Sequence, residues 1–210
     1  MISIALPKGR LGSAVYDRLS AIGYGCPGME EDNRKLVFED EEKGVRYILV
    51  KPSDVAVYVE HGAADVGIVG YDVLLETDPD VFELMDLGIG VCAICVAAPV
   101  GFEDSRQAPL RVATKYQRTA KSHYAEKNRA IEIIPLHGSI ELAPIVGLSD
   151  VIVDIVETGR TLRENHLEVR ETVVPISARL IANKASYEFK RERIDRLRAN
   201  LAQLVEGSEV

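Results

Sequence analysis

Apolar positions along the chain follow two periods that alternate. "ISIALP", Ile2 to Pro7, is a compact β-rich run. After "KGRLGS" the spacing changes, and Val15, Leu19 and Ile22 fit one helical face until Gly23 stops it. Strand, loop and helix then start again at "LRVATK", pass through "YQRTA" and enter "KSHYAEKN". Further in, "GAADVGIVG" leads into "YDVLLE" and "GLSDVIVDI" leads into "LRENHL", each a buried strand running into a predicted helix. Gly62, Asp65 and Val66 of the first recur as Gly147, Asp150 and Val151 of the second at identical spacing. Both copies follow a helix-like segment, which favours a duplicated architecture over the simpler view that turns into strands prefer Gly-x-x-Asp. Alternating strands and helices predict parallel sheets, which bind ligands outside the carboxyl ends of their strands, and two lobes predict a cleft between them. The tail sets Ile194, Leu197, Leu201, Leu204 and Val205 on one helical face, with Glu192 and Arg196 on the wet side and Gly207 as its stop. This helix is expected to pack back on a lobe.

Composition narrows the partners. The chain has 210 residues, 47% hydrophobic and 28% charged, with a net charge of −8. That is enough chain for one large α/β domain or two lobes, and the charge argues against nucleic acid as the main partner. The longest apolar runs fall far short of the roughly 20 residues of a membrane helix. "MISIALPKGR" lacks the pattern of a signal peptide, so a cytoplasmic protein is expected. The three cysteines, Cys26, Cys92 and Cys95, do not form a disulfide framework. Cys92 and Cys95 make a C-x-x-C, but inside the strand-like "GVCAICVAAP" they face opposite sides, and no second pair completes a zinc site. We read them as small buried residues and expect no protein-held metal.

Candidate chemistry gathers where strands end. "LPKGRLG" places Lys8, Gly9 and Arg10 just before a helix, where free N–H groups and the helix dipole favour an anion. "DNRKLVF" adds Arg34 and Lys35, and "LVKPSDVAVYV" adds Lys51 with Asp54. In an acidic protein such cations point to a polyanionic small molecule. "VDIVETGRTL" is more specific. Asp154 and Glu157 can accept hydrogen bonds from sugar hydroxyls, while Thr158, Gly159, Arg160 and Thr161 offer donors to a phosphate. Gly159 lets the backbone approach closely. A plain turn would need only the glycine. In "PLHGSIELAP", Gly138 and Ser139 precede an apparent helix, with Ser139 as its N-cap, and His137 has no partner at metal-ligand spacing.

Taken in order, "ALPKGRL", "NRKL", "KPSDVA", "GAADVGIVGYDVL", "ATKY", "GSIELAP" and "GLSDVIVDIVETGRTL" resemble the short form of the ATP phosphoribosyltransferase family, over about residues 2 to 180. The long form resembles this body plus a further C-terminal regulatory domain. The resemblance implies an α/β, two-lobed type II periplasmic-binding-protein-like fold with a cleft between lobes. Lobe I is expected at residues 1–90 plus 180–210 and lobe II at residues 91–179. It also implies transfer of the 5-phosphoribosyl group from phosphoribosyl pyrophosphate to N1 of ATP, giving phosphoribosyl-ATP and pyrophosphate, the first step of histidine biosynthesis, with Mg2+ bound through substrate phosphates. By motif, Asp154, Glu157, Thr158, Gly159, Arg160 and Thr161 would hold the phosphoribosyl group. Lys8, Arg10, Arg34 and Lys51 would neutralise the triphosphate and pyrophosphate, and Gly9, Gly70 and Tyr71 would serve ATP. The implied partners are a histidyl-tRNA-synthetase-like regulatory subunit and a second catalytic chain.

Two positions depart from the family pattern. Lys51 stands where arginine is common, replacing a bidentate contact by a point charge. Gln117 and Arg118 follow "ATKY" where a proline and a small polar residue are common, which leaves that loop's shape open. Two other functions compete. A non-enzymatic two-lobed small-anion binding domain explains the lobes but not "ETGRT". A phosphoribosyltransferase acting on a free base explains the loop but not ATP as substrate.

Overall fold

The computed structural model describes residues 1–29 and 34–206, the last two through their backbone. The expected stop at Gly207 and Asn33 of "NRKL" lie outside these residues, as does the side chain of Val205. The strands are β1 (Ile2–Pro7), β2 (Val37–Asp40), β3 (Val45–Val50), β4 (Val66–Gly70), β5 (Val81–Asp86), β6 (Cys92–Pro99), β7 (Leu110–Thr114), β8 (Ile131–Pro135), β9 (Val151–Val156), β10 (Leu167–Ile176) and β11 (Ala178–Asn183). The helices are α1 (Arg10–Leu19), α2 (Val55–Glu60), α3 (Tyr71–Thr77), α4 (Gln117–Glu126), α5 (Leu142–Ile145), α6 (Arg160–Glu164) and α7 (Lys184–Glu206). Two units result, Met1–Gly90 with Ser177–Val210, and Val91–Ile176. The second boundary precedes β11 instead of cutting it after residue 179, because β11 pairs along its length within the first unit's sheet.

The first unit's sheet runs in the order β2-β3-β1-β4-β11-β5. Its centre is covered on both faces, which is why β1 is apolar at every position except Ser3. Ile4, Leu6, Val66, Ile68 and Leu180 pack with Val15 and Leu19 of α1 and Ile194, Leu197 and Leu201 of α7. Ala5, Val69 and Ile181 point the other way, onto Val55, Ala56 and Val59 of α2. Gly67 permits that close approach, since a Cβ there would stand 2.7 Å from Val59 Cγ2. Gly23, at φ 91°, ends the first helical stretch.

The second unit's sheet runs in the order β10-β6-β9-β7-β8. Neither sheet is all-parallel, contrary to the expectation. β3, β1 and β4 are parallel, as are β9, β7 and β8. β11 is antiparallel to β4 and β5, and β6 is antiparallel to β9 and β10. Parallel neighbours need a crossover of a dozen residues or so, which the short turn between the antiparallel β2 and β3 cannot supply, and β6 and β11 are the strands on which the chain enters each sheet from the other unit. α6 ends at Glu164, and His166 turns the chain at φ 55°, so the helix expected through "LRENHL" stops early.

The repeated Gly-x-x-Asp does the same work in both units. Gly62 and Gly147 both adopt φ 73°. Asp65 donates its N–H to Ser3 O at 2.9 Å, and its carboxylate accepts the Ser3 N–H at 2.8 Å. Asp150 donates its N–H to Arg111 O at 2.9 Å and accepts the Arg111 N–H at 2.9 Å. Each aspartate thus clamps the start of the parallel strand beside its own. Among the described residues, no helix is long and apolar enough to cross a membrane.

Candidate functional site

β9 is buried through Val153 and opens outward from Asp154. Glu157 and Thr158 are exposed, and Gly159 takes φ 68° and ψ 10° to start α6. That left-handed conformation suits glycine. A Cβ on Gly159 would also stand 3.2 Å from Arg163 Nη1, the atom that donates to Thr158 O at 3.0 Å. Arg163 therefore closes the loop from behind. No local pattern announced it, since its bond reaches across a turn. Asp154 Oδ1 accepts the Ile155 N–H at 2.8 Å, and Thr158 Oγ1 accepts the Arg160 N–H at 3.4 Å. Arg160 pairs with Glu164 at 2.8 Å with both side chains largely exposed, a surface pair readily exchanged for a ligand.

All six residues expected to hold the phosphoribosyl group, Asp154, Glu157, Thr158, Gly159, Arg160 and Thr161, line one pocket of about 240 Å3. Cys95, Ala97, Ile152 and Leu162 add small or apolar walls, and Glu141 adds a third carboxylate. The volume is below the ~300–1,000 Å3 of drug-sized pockets, so it suits a sugar-phosphate fragment more than a whole nucleotide. Burial pushes the Cys95 thiol up, against the opposing pull of the Thr172 hydroxyl, so this cysteine is a neutral wall group. Among the described residues no trio of His, Cys, Asp or Glu is arranged to hold a metal.

Thr114 steadies the end of β9. Fully buried, it donates to Val153 O at 2.6 Å and accepts the Tyr116 N–H at 2.8 Å. Gln117 and Arg118 consequently open α4 instead of forming a loop. Ser139 does not cap a helix: it turns at φ 46°, and Glu141 takes the N-cap position of α5.

In the first unit, Lys8 donates its N–H to Val50 O at 2.8 Å, so β1 and β3 end side by side with Lys8 and Lys51 following. Gly9, at φ 96°, starts α1. The helix presses close enough that a Cβ on Gly12 would stand 1.7 Å from Pro7 O. Gly12 was missed because the need for glycine comes from this approach and not from a turn. Lys8, Gly9 and Arg34 line a pocket of about 700 Å3 together with Gly12, Ser13, Tyr16 and Lys35, with Leu6, Met29, Leu36 and Leu49 as apolar lining. Its floor is braced by Tyr16, whose hydroxyl donates to Cys26 O and accepts the Cys26 N–H, both at 3.0 Å. Arg10, the first residue of α1, and Lys51 do not line this pocket. Gly70 ends β4, a neighbour of β1, and Tyr71 follows with its N–H on Ser177 O at 3.0 Å. A Cβ on Gly70 would stand 2.2 Å from Asp72 Oδ1. The structure thus gathers three of the seven first-unit candidates in one pocket and leaves Arg10, Lys51, Gly70 and Tyr71 around neighbouring strand ends.

A family model described as "HisG: ATP phosphoribosyltransferase" matches residues 51–203. An ATP phosphoribosyltransferase of Brachyspira hyodysenteriae is 56% identical over 98% of this chain and 100% of its own length. One from Clostridioides difficile is 52% identical over 93% of this chain and 94% of its own. Among solved structures, a chain of the ATP phosphoribosyl transferase (HisG:HisZ) complex from Thermotoga maritima matches with a TM-score of 0.87 and 35% identity, covering 100% of both chains.

Proposed function

The chain belongs to the ATP phosphoribosyltransferase family, in its short, catalytic form, and from that premise we propose how its two units divide the reaction. Its α/β fold is related to that of periplasmic binding proteins. The enzyme catalyses the first step of histidine biosynthesis. In our reading the second unit holds phosphoribosyl pyrophosphate: Asp154 and Glu157 accept the ribose hydroxyls, and the turn through Thr158, Gly159, Arg160 and Thr161 donates to the 5-phosphate. Lys8, Arg10, Arg34 and Lys51 offset the charge of ATP and of departing pyrophosphate, and Gly9, Gly70 and Tyr71 serve the nucleotide. The finer proposal for the fold is a two-lobed, type II periplasmic-binding-protein-like arrangement with transfer in a cleft between lobes.

The adenine N1 lone pair forms a bond to C1 of the ribose as the C1–O bond to pyrophosphate breaks. N1 needs no proton removed before it attacks, so no general base is assigned. Catalysis then rests on alignment and on cations matched to charge that grows on the leaving group. Mg2+, carried by the substrate phosphates, would supply further neutralisation there. Lys8, Arg34 and Lys35, which line the first-unit pocket beside Asp17, would face the phosphate oxygens of such a substrate and not the metal itself. We also propose that catalytic chains pair as homodimers in the cytoplasm and work with a histidyl-tRNA-synthetase-like regulatory subunit, as the HisG:HisZ assembly of the Thermotoga protein suggests.

The observation that carries the reading is the pocket formed by the whole "ETGRT" turn and Asp154 at the end of β9. A free anion-binding domain does not need two acids and two threonines at one strand end. The test is an absorbance assay for phosphoribosyl-ATP with ATP, phosphoribosyl pyrophosphate and Mg2+. Product should appear only with all three. Equal pyrophosphate release without ATP would overturn the assignment.

A further inference from the structure

Tyr71 has its backbone fixed by a hydrogen bond and its ring set against the Arg179 side chain. Its N–H is bound by Ser177 O at 3.0 Å, and it opens α3. The Arg179 guanidinium carbon lies 4.5 Å from the centre of the Tyr71 ring. Arg179 sits on β11, opposite Val69 of β4 on one side and Asp86 of β5 on the other. Its side chain is 19% exposed, and its Nη1 lies 3.2 Å from Glu83 and 3.0 Å from Asp86. Asp86 is itself held, its Oδ1 accepting the Ser177 hydroxyl at 2.7 Å and the Gly88 N–H at 2.9 Å. The Nε of Arg179 is buried without a hydrogen-bond partner among the described residues, so the head group is not placed to satisfy every donor. Its placement instead sets a planar cation against an aromatic face, an arrangement that a guanidinium fills better than an ammonium.

We propose that Arg179 is a positioning residue for ATP: anchored by Glu83 and Asp86, it fixes the plane in which the Tyr71 ring meets the nucleotide. This rests on the reading of Tyr71 as a nucleotide-side residue. Arg179 acts through Tyr71 and needs no contact with substrate. Phosphoribosyl pyrophosphate, held by the other unit's loop, gains nothing from it.

The experiment is direct calorimetric binding of ATP and, separately, of phosphoribosyl pyrophosphate to the purified chain and to Arg179→Met, Arg179→Lys, Tyr71→Leu and the Arg179→Met/Tyr71→Leu double variant. Circular dichroism and urea melts check folding. Arg179→Met should weaken ATP by about threefold to tenfold, the scale of one cation–π contact, with phosphoribosyl pyrophosphate unaffected. Arg179→Lys should recover part of the loss. In the Tyr71→Leu background, Arg179→Met should add nothing, which a merely structural role would not produce. Unchanged ATP affinity in folded Arg179→Met overturns the proposal, as does an equal loss with and without the ring. Should Arg179→Met fail to fold, the same criteria apply to Arg179→Lys alone and in the Tyr71→Leu background. If Tyr71→Leu itself leaves ATP binding intact, the nucleotide-side reading of Tyr71 fails, and the role of Arg179 falls with it.

Discussion

Thr161→Val separates a binding loop from a structural turn. Thr158 is the poorer probe, because its hydroxyl accepts the Arg160 N–H and its carbonyl is held by Arg163. Thr161 is exposed, its carbonyl accepts the Asn165 side-chain amide at 2.9 Å, and its hydroxyl is engaged by no other described residue. Valine keeps the branched shape and removes only that hydroxyl, so the folded state should change by no more than ~0.5 kcal/mol, the usual range for a surface position. If the hydroxyl grips the 5-phosphate, its loss removes a hydrogen bond to a charged group, roughly 1.5–3 kcal/mol. At one factor of ten per ~1.4 kcal/mol, affinity for phosphoribosyl pyrophosphate should fall about tenfold to a hundredfold. Titration calorimetry with each substrate reads this, and ATP binding should stay within error. Unchanged affinity for phosphoribosyl pyrophosphate in the folded variant would refute a phosphate role for Thr161, and an equal loss for ATP would refute the division of labour between the units.

Gly12→Ala should destabilise the protein by about 1–3 kcal/mol and weaken ATP binding, because a Cβ 1.7 Å from Pro7 O forces α1 away from the strand end that carries Lys8 and Gly9; a urea midpoint equal to that of the parent would contradict the packing. Acid should destabilise the protein in part through its two clamp aspartates, alongside Asp86, Asp104 and Glu171, which are also held low. Burial pushes the Asp65 carboxyl up, but bonds from Lys190 and the Ser3 amide outweigh it and hold the group below the usual carboxylate range, and the Arg111 guanidinium holds Asp150 below it as well. A depressed folded pKa contributes stability that is complete above the unfolded value of about 4 and lost as pH falls through the folded value. Urea melts between pH 7 and pH 3 should therefore fall off below about pH 4, and less steeply in Asp150→Asn; an equally steep loss in that variant would rule out Asp150 as a source.

Burial pattern and contiguous chemistry were the legible parts of the sequence. The period of "ISIALP", the Gly23 stop and the buried face of Ile194, Leu197 and Leu201 all follow from spacing alone. Strand direction does not, because apolar period reports which face is buried and not which strand lies beside it. β11, inserted between β4 and β5 after a long excursion, therefore broke the parallel-sheet expectation. The loop proposed to hold the phosphoribosyl group was legible as one cluster because Glu157 to Thr161 are consecutive and line one pocket. The residues behind the candidate sites were not: Arg163 behind this loop, and Gly12 and Arg179 in the first unit, earn their places through contacts to a carbonyl, a backbone approach and a ring that the one-dimensional pattern does not display.

The Gly-x-x-Asp repeat shows where the line between the two kinds of information runs. Its backbone work is identical in both units, an aspartate at the head of one strand clamping both N–H and C=O at the head of its parallel neighbour, and identical spacing in the sequence matched that work. What balances the carboxylate differs. Asp65 takes Lys190 from α7, at 2.7 Å, where that helix departs from helical geometry. Asp150 takes the side chain of Arg111 at 2.6 Å, the same residue whose N–H it already holds. The first cation ties a distant helix to the sheet, whereas the second also donates to Gly147 O at 2.9 Å and so ties the repeat's own glycine turn. A motif fixed by backbone bonds repeats visibly, while the charge that completes it comes from whatever element the rest of the unit brings alongside. In the first unit that element is α7, so the same short repeat also anchors the chain's last helix, a task its twin in the second unit does not share.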